Sequence, residues 1–328
     1  MTLTRTIRAL AFAAAALTAL TALPGAQGAS PYPTKPIHIV VPFGAGGIAD
    51  LTVRAVADRL AETLGQPVII ENHPGAGGVV AAQMVVRAAP DGHTALLISN
   101  GTAVSAGLFK ALPYDTMKDL APVSTLGAFD IVIVAKGDAP YASLAQALAE
   151  ARAHPGRLNI GTINIGSTQN LAAELFKARS GIDAQVVPFA GTPALLAALL
   201  GGSVDIAVEI LGPLRPQVEA GKLRALAVMG AARSRFLPDV PTAAESGVAG
   251  LDVTSWNGIA VPAGTPREIV LRLNREVNDA LAAPRVKARL GDLGVEARGS
   301  TPEAARALLE SEIRRWSEVI TRANIPRL

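Results

Sequence analysis

Two α/β lobes are the architecture this sequence predicts, on three observations. Strand-length apolar runs alternate with helical periods almost from end to end. The chain, at 328 residues, is longer than one hydrophobic core usually supports. A fresh series of capped helices begins after residue 130, as though a second sheet were being started.

The first 28 residues are set aside before the fold is read. Arg5 and Arg8 form a basic start, residues 9–23 an apolar run, and Pro24-Gly25 breaks that run. Ala26-Gln27-Gly28 then supplies small residues at the −3 and −1 positions of a cleavage site. The pattern predicts a secretory signal cleaved near Gly28. No other stretch approaches the roughly 18 uninterrupted apolar residues of a spanning helix.

Residues 36–41 form a buried-strand run that ends in the loop 42–47. Leu51, Val53, Val56, Ala57, Leu60 and Leu64 then recur at helical spacing and stop at Gly65. A second strand (67–71) leads through Gly75-Ala76-Gly77-Gly78 to a helix ending near Ala89. Asp91-Gly92 turns the chain into a third strand, 95–99. This βαβαβ rhythm predicts a parallel sheet. Residues 131–135 read as the strand that opens the second lobe. Ser143 and Gln146 form a capping box for a helix to about Ala153, and Ser167 caps another running to Arg179. Strands are expected at 158–161, 185–189, 204–208 and 223–229, with Thr192-Pro193 and Gly212-Pro213 opening the helices between them. An irregular link (233–250) precedes a strand at 256–261. A second capping box, Thr265 to Glu268, opens a helix to about Ala282, and a last helix runs from Thr301-Pro302 to Ala323. The expected organisation is a signal (1–28), a first lobe (29–130 with 254–328) and a second lobe (131–253).

Composition excludes several functions. There is no cysteine, so disulfides, thiolate metal sites and a Cys nucleophile are out. His38, His73, His93 and His154 are scattered, and no zinc-binding spacing occurs. Removing residues 1–28 leaves 28 basic against 27 acidic side chains, a net charge of +1, which gives no reason to expect nucleic acid. Neither a G-x-S-x-G nor an H-E-x-x-H motif occurs, and the 4% aromatic content gives a sugar no stacking platform.

The sharpest local feature is the loop 42–47 between a strand and a helix. Gly44, Gly46 and Ala49 satisfy G-x-G-x-x-A, and Glu71 ends the next strand where a ribose-binding acid would stand. Against a nicotinamide-linked enzyme stand the kink at Pro42-Phe43, export from the cofactor pool, and a second glycine turn at 75–78 that repeats the device. What these glycines offer is exposed backbone N–H at a helix N-terminus, which holds an anion without arginine. Gly166-Ser167-Thr168 and Thr192 repeat the arrangement in the second lobe. Asp50 and Arg54, at i and i+4, read as a dipole complement with an exposed ion pair. Asp205 either pins a turn or faces a ligand.

Taken in order, several motifs carry a resemblance. They are Tyr-Pro-Thr-Lys-Pro-Ile at 32–37, Val-Pro-Phe-Gly-Ala-Gly-Gly-Ile-Ala-Asp at 41–50, and Leu-Gly-Gln-Pro-Val at 64–68. Glu-Asn-His-Pro-Gly-Ala-Gly-Gly at 71–78, Ala-Pro-Asp-Gly-His-Thr at 89–94 and Gly-Lys-Leu-Arg-Ala-Leu-Ala at 221–227 continue the series. Leu-Pro-Asp-Val-Pro-Thr at 237–242 and Trp-Asn-Gly-Ile-Ala-Val-Pro-Ala-Gly-Thr-Pro at 256–266 complete it. The chain resembles the Bug, or tripartite tricarboxylate transporter, periplasmic solute receptors. The resemblance implies a type II Venus-flytrap fold that binds a small organic carboxylate between its lobes. It also implies delivery to a membrane permease of one large and one small subunit, by a monomer with no cofactor, no metal and no catalytic activity. A sensing module for a membrane signalling partner is the alternative on the same fold.

Carried over residue by residue, the family's cradle points to Phe43, Gly46, Gly47, Asp50, Ser99 and Asn100 in the first lobe. In the second it points to Thr162, Ser167, Thr168, Phe189, Gly191, Thr192 and Asp205. Three positions depart from the family pattern: Asn170 replaces a usual His, Ala190 a usual Lys, and His93 a usual Tyr. Without that lysine the pocket is less cationic, and helix N-termini carry more of the anion binding.

Overall fold

The computed structural model describes residues 32–322 and 325–328; the expected signal peptide lies outside them. Among the described residues ten strands join in the order β2-β1-β3-β9-β4-β7-β5-β6, with β8 and β10 both paired to β4. β1 (Ile37–Val41) pairs in parallel with β2 (Val68–Asn72) and with β3 (Thr94–Ser99), as the βαβαβ rhythm predicts. β9 (Thr254–Pro262) runs antiparallel between β3 and the first part of β4. The second sheet holds β5 (Leu158–Ile163), parallel to both β6 (Ala184–Phe189) and β7 (Ile206–Ile210). β7 and β8 (Leu223–Val228) each pair antiparallel with the second part of β4. The result is a two-lobed α/β fold.

One strand expectation is corrected. Ile131 does not open a strand: it lies within β4, Leu120–Lys136, which runs unbroken through both sheets. β9 pairs with β4 as far as Asp130, and β7 takes over at Ile131. The sequence conceals this because Pro122 and Gly127 read as breakers. Each instead sits at a register shift against β9, where a bulge removes the demand for a regular ladder. Gly127 also admits the two-residue strand β10 (Glu296–Ala297). A Cβ there would lie 2.5 Å from Val295 Cγ1 and 2.8 Å from the Glu296 carbonyl oxygen. Gly127→Val is therefore expected to expel β10, lowering the urea-unfolding free energy by about 2 kcal/mol.

Helices cover the sheets: α1 (Ile48–Leu64), α2 (Val79–Val86), α3 (Asn100–Leu108), the single turn α4 (Thr116–Asp119) and α5 (Leu144–Ala153). They continue with α6 (Thr168–Ser180), α7 (Thr192–Leu200), α8 (Leu211–Glu219), α9 (Arg267–Ala282), α10 (Pro284–Asp292) and α11 (Pro302–Arg322). Sequence periodicity misses α3, α4 and α10. In α3 the cause is Gly101 and Gly107, poor helix formers. Gly107 is required by packing, since a Cβ there would meet Ser317 Oγ on α11 at 2.6 Å.

Capping is partly as expected. Ser143 accepts from the Gln146 amide, and Gln146 Oε1 accepts from the amide of Ala142, one residue before the cap. The expected box at Thr265 does not form. Pro266 occupies the cap position, and the Thr265 hydroxyl is buried without a hydrogen-bond partner. The core runs through both sheets and into the C-terminal helices, with Ile39, Leu97, Leu126, Ile133, Ile160, Phe176 and Trp316 among its fully buried side chains.

Candidate ligand-binding site

Parallel strands deliver their carboxyl ends, and the helix N-termini that follow, to one edge of a sheet. In the first sheet β1 leads through residues 42–47 into α1. Gly46 has φ 78°, in the left-handed region, and Gly47 caps α1 in an extended conformation with no side chain of its own. The first amides of α1 are therefore left without a side-chain acceptor at the cap. No heavy atom stands within 4 Å of where a Cβ at Gly44 or Gly46 would be.

Asp50 holds this loop in place. Its carboxylate accepts from the Gly46 amide (2.9 Å), from Arg54 Nε (2.9 and 3.0 Å) and from Asn72 Nδ2 (3.0 Å). Asn72 also donates to the Phe43 carbonyl and accepts from Arg54. Burial pushes the Asp50 carboxyl up, but its Arg54, Gly46 and Asn72 donors outweigh that and hold it below the usual range. The reading of Asp50 and Arg54 as an exposed ion pair is corrected on the acid's side: Asp50 is 2% exposed.

The second sheet repeats the device. Between β5 and α6, Gly166 has φ 80° and the cap residue Ser167 is extended. Asn170 Oδ1 accepts from the Gly166 amide at 3.1 Å, the same i to i+4 relation by which Asp50 holds Gly46. Asn170, one of the departures noted in the sequence, thus pins its loop as a neutral counterpart of Asp50. Ser167 Oγ accepts from the Asn170 amide and donates to the Ile163 carbonyl.

The other expected residues divide. Ser99 caps α3: its hydroxyl accepts from the Gly101 amide while its own amide donates to Thr102 Oγ1. Asn100 is fully buried and donates to the Thr254 carbonyl, so it ties α3 to β9. Phe43 is 38% exposed, and its ring comes within 3.5 Å of a Cβ placed at Gly101, joining the first loop to the start of α3. Thr162 and Thr168 are buried at the end of β5 and the start of α6, and the Thr162 hydroxyl has no hydrogen-bond partner. Phe189 and Gly191 lead from β6 into α7, where Thr192 donates to Glu209 Oε2 at 3.0 Å.

Asp205 stands elsewhere. It precedes β7, and its carboxylate accepts from the Asn159 amide at the amino end of β5. Four residues of strand, about 13 Å, separate it from Glu209, so it acts as the turn-pinning residue. Glu209 is the acid that sequence reasoning missed. It is 1% exposed, and its Oε1 accepts from Gln169 Nε2 and from the Ile210 amide, each at 2.7 Å. Burial pushes its carboxyl above the usual range, and the donors from Gln169, Ile210 and Thr192 offset that only in part.

Glu71, the acid of the dinucleotide reading, is occupied by His38 Nδ1 at 2.5 Å. The glycines of the second turn are explained by close packing. A Cβ at Gly77 would lie 2.7 Å from Ser105 Oγ, and one at Gly78 would lie 2.9 Å from the Pro42 ring. The two sheets' loops approach each other, since a Cβ at Gly166 would lie 2.7 Å from Leu108 Cδ2 on α3. Residues 42–47, 98–102, 162–168 and 189–193 contain no Lys, Arg, Asp or Glu. What these loops can offer an anion is amides and hydroxyls. Among the described residues no cluster of His, Asp and Glu could hold a metal ion, and no helix is long and apolar enough to cross a membrane.

Comparison with known proteins identifies the family. The family model described as tripartite tricarboxylate transporter family receptor matches residues 52–325. Protein BugT of Bordetella pertussis (strain Tohama I) is 35% identical over 294 residues, 89% of this chain and 90% of its own. The structure of R. palustris Rpa4515 with adipate superposes with a TM-score of 0.82 at 34% identity, covering 90% of this chain and all of that one. MatC from Rhodopseudomonas palustris with bound malate gives 0.77 at 36% identity, covering 88% of this chain and all of its own. The family match alone runs from the first turns of α1 to beyond α11, through the whole second sheet, every strand of the first except β1, and the second of the paired loops. On that extent the chain belongs to the tripartite tricarboxylate transporter receptor family, whose members are periplasmic solute-binding receptors.

Proposed function

We propose that this protein captures a small organic carboxylate between two lobes, residues 29–130 with 254–328 and residues 131–253, and delivers it to a membrane permease of one large and one small subunit. The observation that carries this reading is the duplicated loop. Gly46 with Asp50 and Gly166 with Asn170 shape corresponding loops at the N-termini of α1 and α6, one in each sheet, and support amide capture of an anion at both. A carboxylate bridging both sets stabilises the closed form over the open one, which is how such a receptor signals occupancy. Adipate and malate in the two similar structures support the ligand class. Export follows from residues 1–28, and the N-terminal residue of the secreted protein, read by mass spectrometry, tests it.

The binding test is a thermal-shift panel on ligand-stripped protein with adipate, malate, citrate, acidic and neutral amino acids, aromatic acids, sugars and NADH. A ligand at 100 times its Kd adds about 2.7 kcal/mol, a shift of about 5 °C. Stabilisation by NADH and by no carboxylate would overturn the reading. Gly44→Val probes the site itself. Its new side chain meets open space at a backbone conformation any residue adopts, so the melting temperature should hold within about 1 °C. Carboxylate affinity should fall at least about tenfold, because the isopropyl group fills open space in the loop that leads into α1.

A further inference from the structure

We infer that Glu209 makes carboxylate capture proton-linked: the ligand binds together with a proton that Glu209 takes up, because that proton frees the Thr192 hydroxyl to donate to the ligand. The inference rests on the carboxylate-receptor reading above.

The geometry gives Glu209 two unlike oxygens. Oε1 receives two N–H donors, from Gln169 in the first turn of α6 and from the Ile210 backbone, and neither donor can reverse its role. Oε2 receives the hydroxyl of Thr192, which is reversible, since a hydroxyl has one proton and two acceptor lone pairs. While Glu209 is ionised, the single Thr192 proton is held by Oε2, and the Thr192 hydroxyl turns only lone pairs toward a ligand carboxylate that the first amides of α7 would otherwise attract. Once a proton sits on Oε2, that O–H donates to Thr192 Oγ, and the Thr192 proton turns to the ligand. No bond other than O–H is made or broken, and the proton comes from solvent.

The surroundings make the uptake favourable. Two carboxylates around one helix N-terminus repel when both are ionised. The elements packed against β7 bring no cation to separate them. β5, β6 and α7 contain no titratable side chain. On β4, Asp130 and Lys136 lie at the ends of the paired segment, with Val132 opposite Glu209, and Lys136 pairs with Asp138. In α6, Glu174, Lys177 and Arg179 follow Gln169 by more than a turn. On α8, Arg215 pairs with Glu219. On β8, Arg224 donates to the carbonyls of Tyr141 and Gly137. Burial of the Glu209 carboxyl acts in the same direction.

Glu209→Gln is the decisive variant. Its amide oxygen can take the place of Oε1 and its NH2 that of Oε2, reproducing the protonated ring without a titratable group. Calorimetry with adipate and with malate, in buffers of different ionisation enthalpy at pH 7, counts protons taken up per ligand. The wild type is expected to take up protons, at most one per ligand, with affinity falling by up to about tenfold per pH unit as pH rises. Glu209→Gln is expected to take up none, to show a flat profile, and at pH 8 to bind as tightly as the wild type or tighter. A wild type with no uptake and a flat profile overturns the inference, and so does a Gln variant that keeps the wild-type pH slope.

A ligand-free arm separates this from failure of the receptor reading. A carboxyl raised in the folded state contributes stability that is present below its unfolded pKa and lost as pH rises through the folded one. Glu209→Gln should therefore melt higher than the wild type at pH 8, and the gap should close below about pH 4.5. A gap that does not change with pH overturns the inference. Absence of binding by every carboxylate, with the pH-dependent gap present, overturns the receptor reading and with it the ligand linkage.

Discussion

Asp50→Ala is expected to cost at least about 100-fold in carboxylate affinity and about 2–3 kcal/mol in stability. The substitution leaves the Gly46 amide, the Asn72 amide and the Arg54 guanidinium without their common acceptor. A buried donor stripped of its partner costs about 1–3 kcal/mol, and Arg54, which is part-exposed, recovers some of its share from water. The affinity loss has a separate origin. Gly46 sits at φ 78°, and the bond to Asp50 keeps that turn from relaxing toward other conformations open to glycine. Ordering the loop must then be drawn from binding free energy, and about 2.7 kcal/mol of lost preorganisation corresponds to 100-fold. Calorimetry with the carboxylate found in the panel measures it. If β1 and α1 fixed the loop by themselves, Asp50→Ala would lower the melting temperature and leave Kd unchanged. The pH dependence has a definite sign. The Asp50 carboxyl is depressed in the folded protein, so its contribution is present above the unfolded carboxylate pKa of about 3.9 and is lost as pH falls below it. Asp50→Asn should remove that acid-sensitive component.

The same residue shows what the sequence could and could not reveal. Its position in the first turn of a helix after a glycine loop is a local pattern, and local patterns were readable. Most strands, most helix starts and the Gly, Ser and Thr turns before α1, α6 and α7 follow from spacing within a few residues. The partners of Asp50 were not readable, because Asn72 lies 22 residues away and reaches it only through the pairing of β1 with β2. Glu209 was hidden for the same reason. It stands in an otherwise apolar strand, and Gln169 and Thr192 are 40 and 17 residues distant. Asp205 drew attention instead because the Gly-Gly-Ser turn before it is a local signal. β4 and α3 were missed where tertiary packing overrode local preference, at Pro122, Gly127 and Gly107. Glycines read as breakers were in fact points of close approach.

Trp316→Ala should show the reverse balance, a large loss of stability with little change in affinity. Trp316 is fully buried in the middle of α11, its Nε1 donates to Glu312 Oε2 at 2.9 Å, and Arg315 lies over its ring at 5.5 Å. Truncating a buried tryptophan costs about 3–5 kcal/mol, and here the nearly buried Glu312 also loses a donor. At about 2 °C per kcal/mol the melting temperature should drop by about 8 °C. α11 braces α3 through the contact of Ser317 with Gly107, and α3 begins at Ser99 and Asn100. Those two residues keep their positions by bonds that do not involve α11: Ser99 to Gly101 and Thr102, Asn100 to the Thr254 carbonyl on β9. Well below the melting temperature the amides of the site therefore stay where they are, and Kd should change by less than about tenfold. Unfolding should remain a single transition, because β4 belongs to both sheets and carries the damage from one to the other. Two separated transitions by calorimetry would mean that the lobes unfold independently. A Kd loss matching that of Asp50→Ala would mean that the C-terminal helix, rather than the loop clamps, sets the geometry of the site.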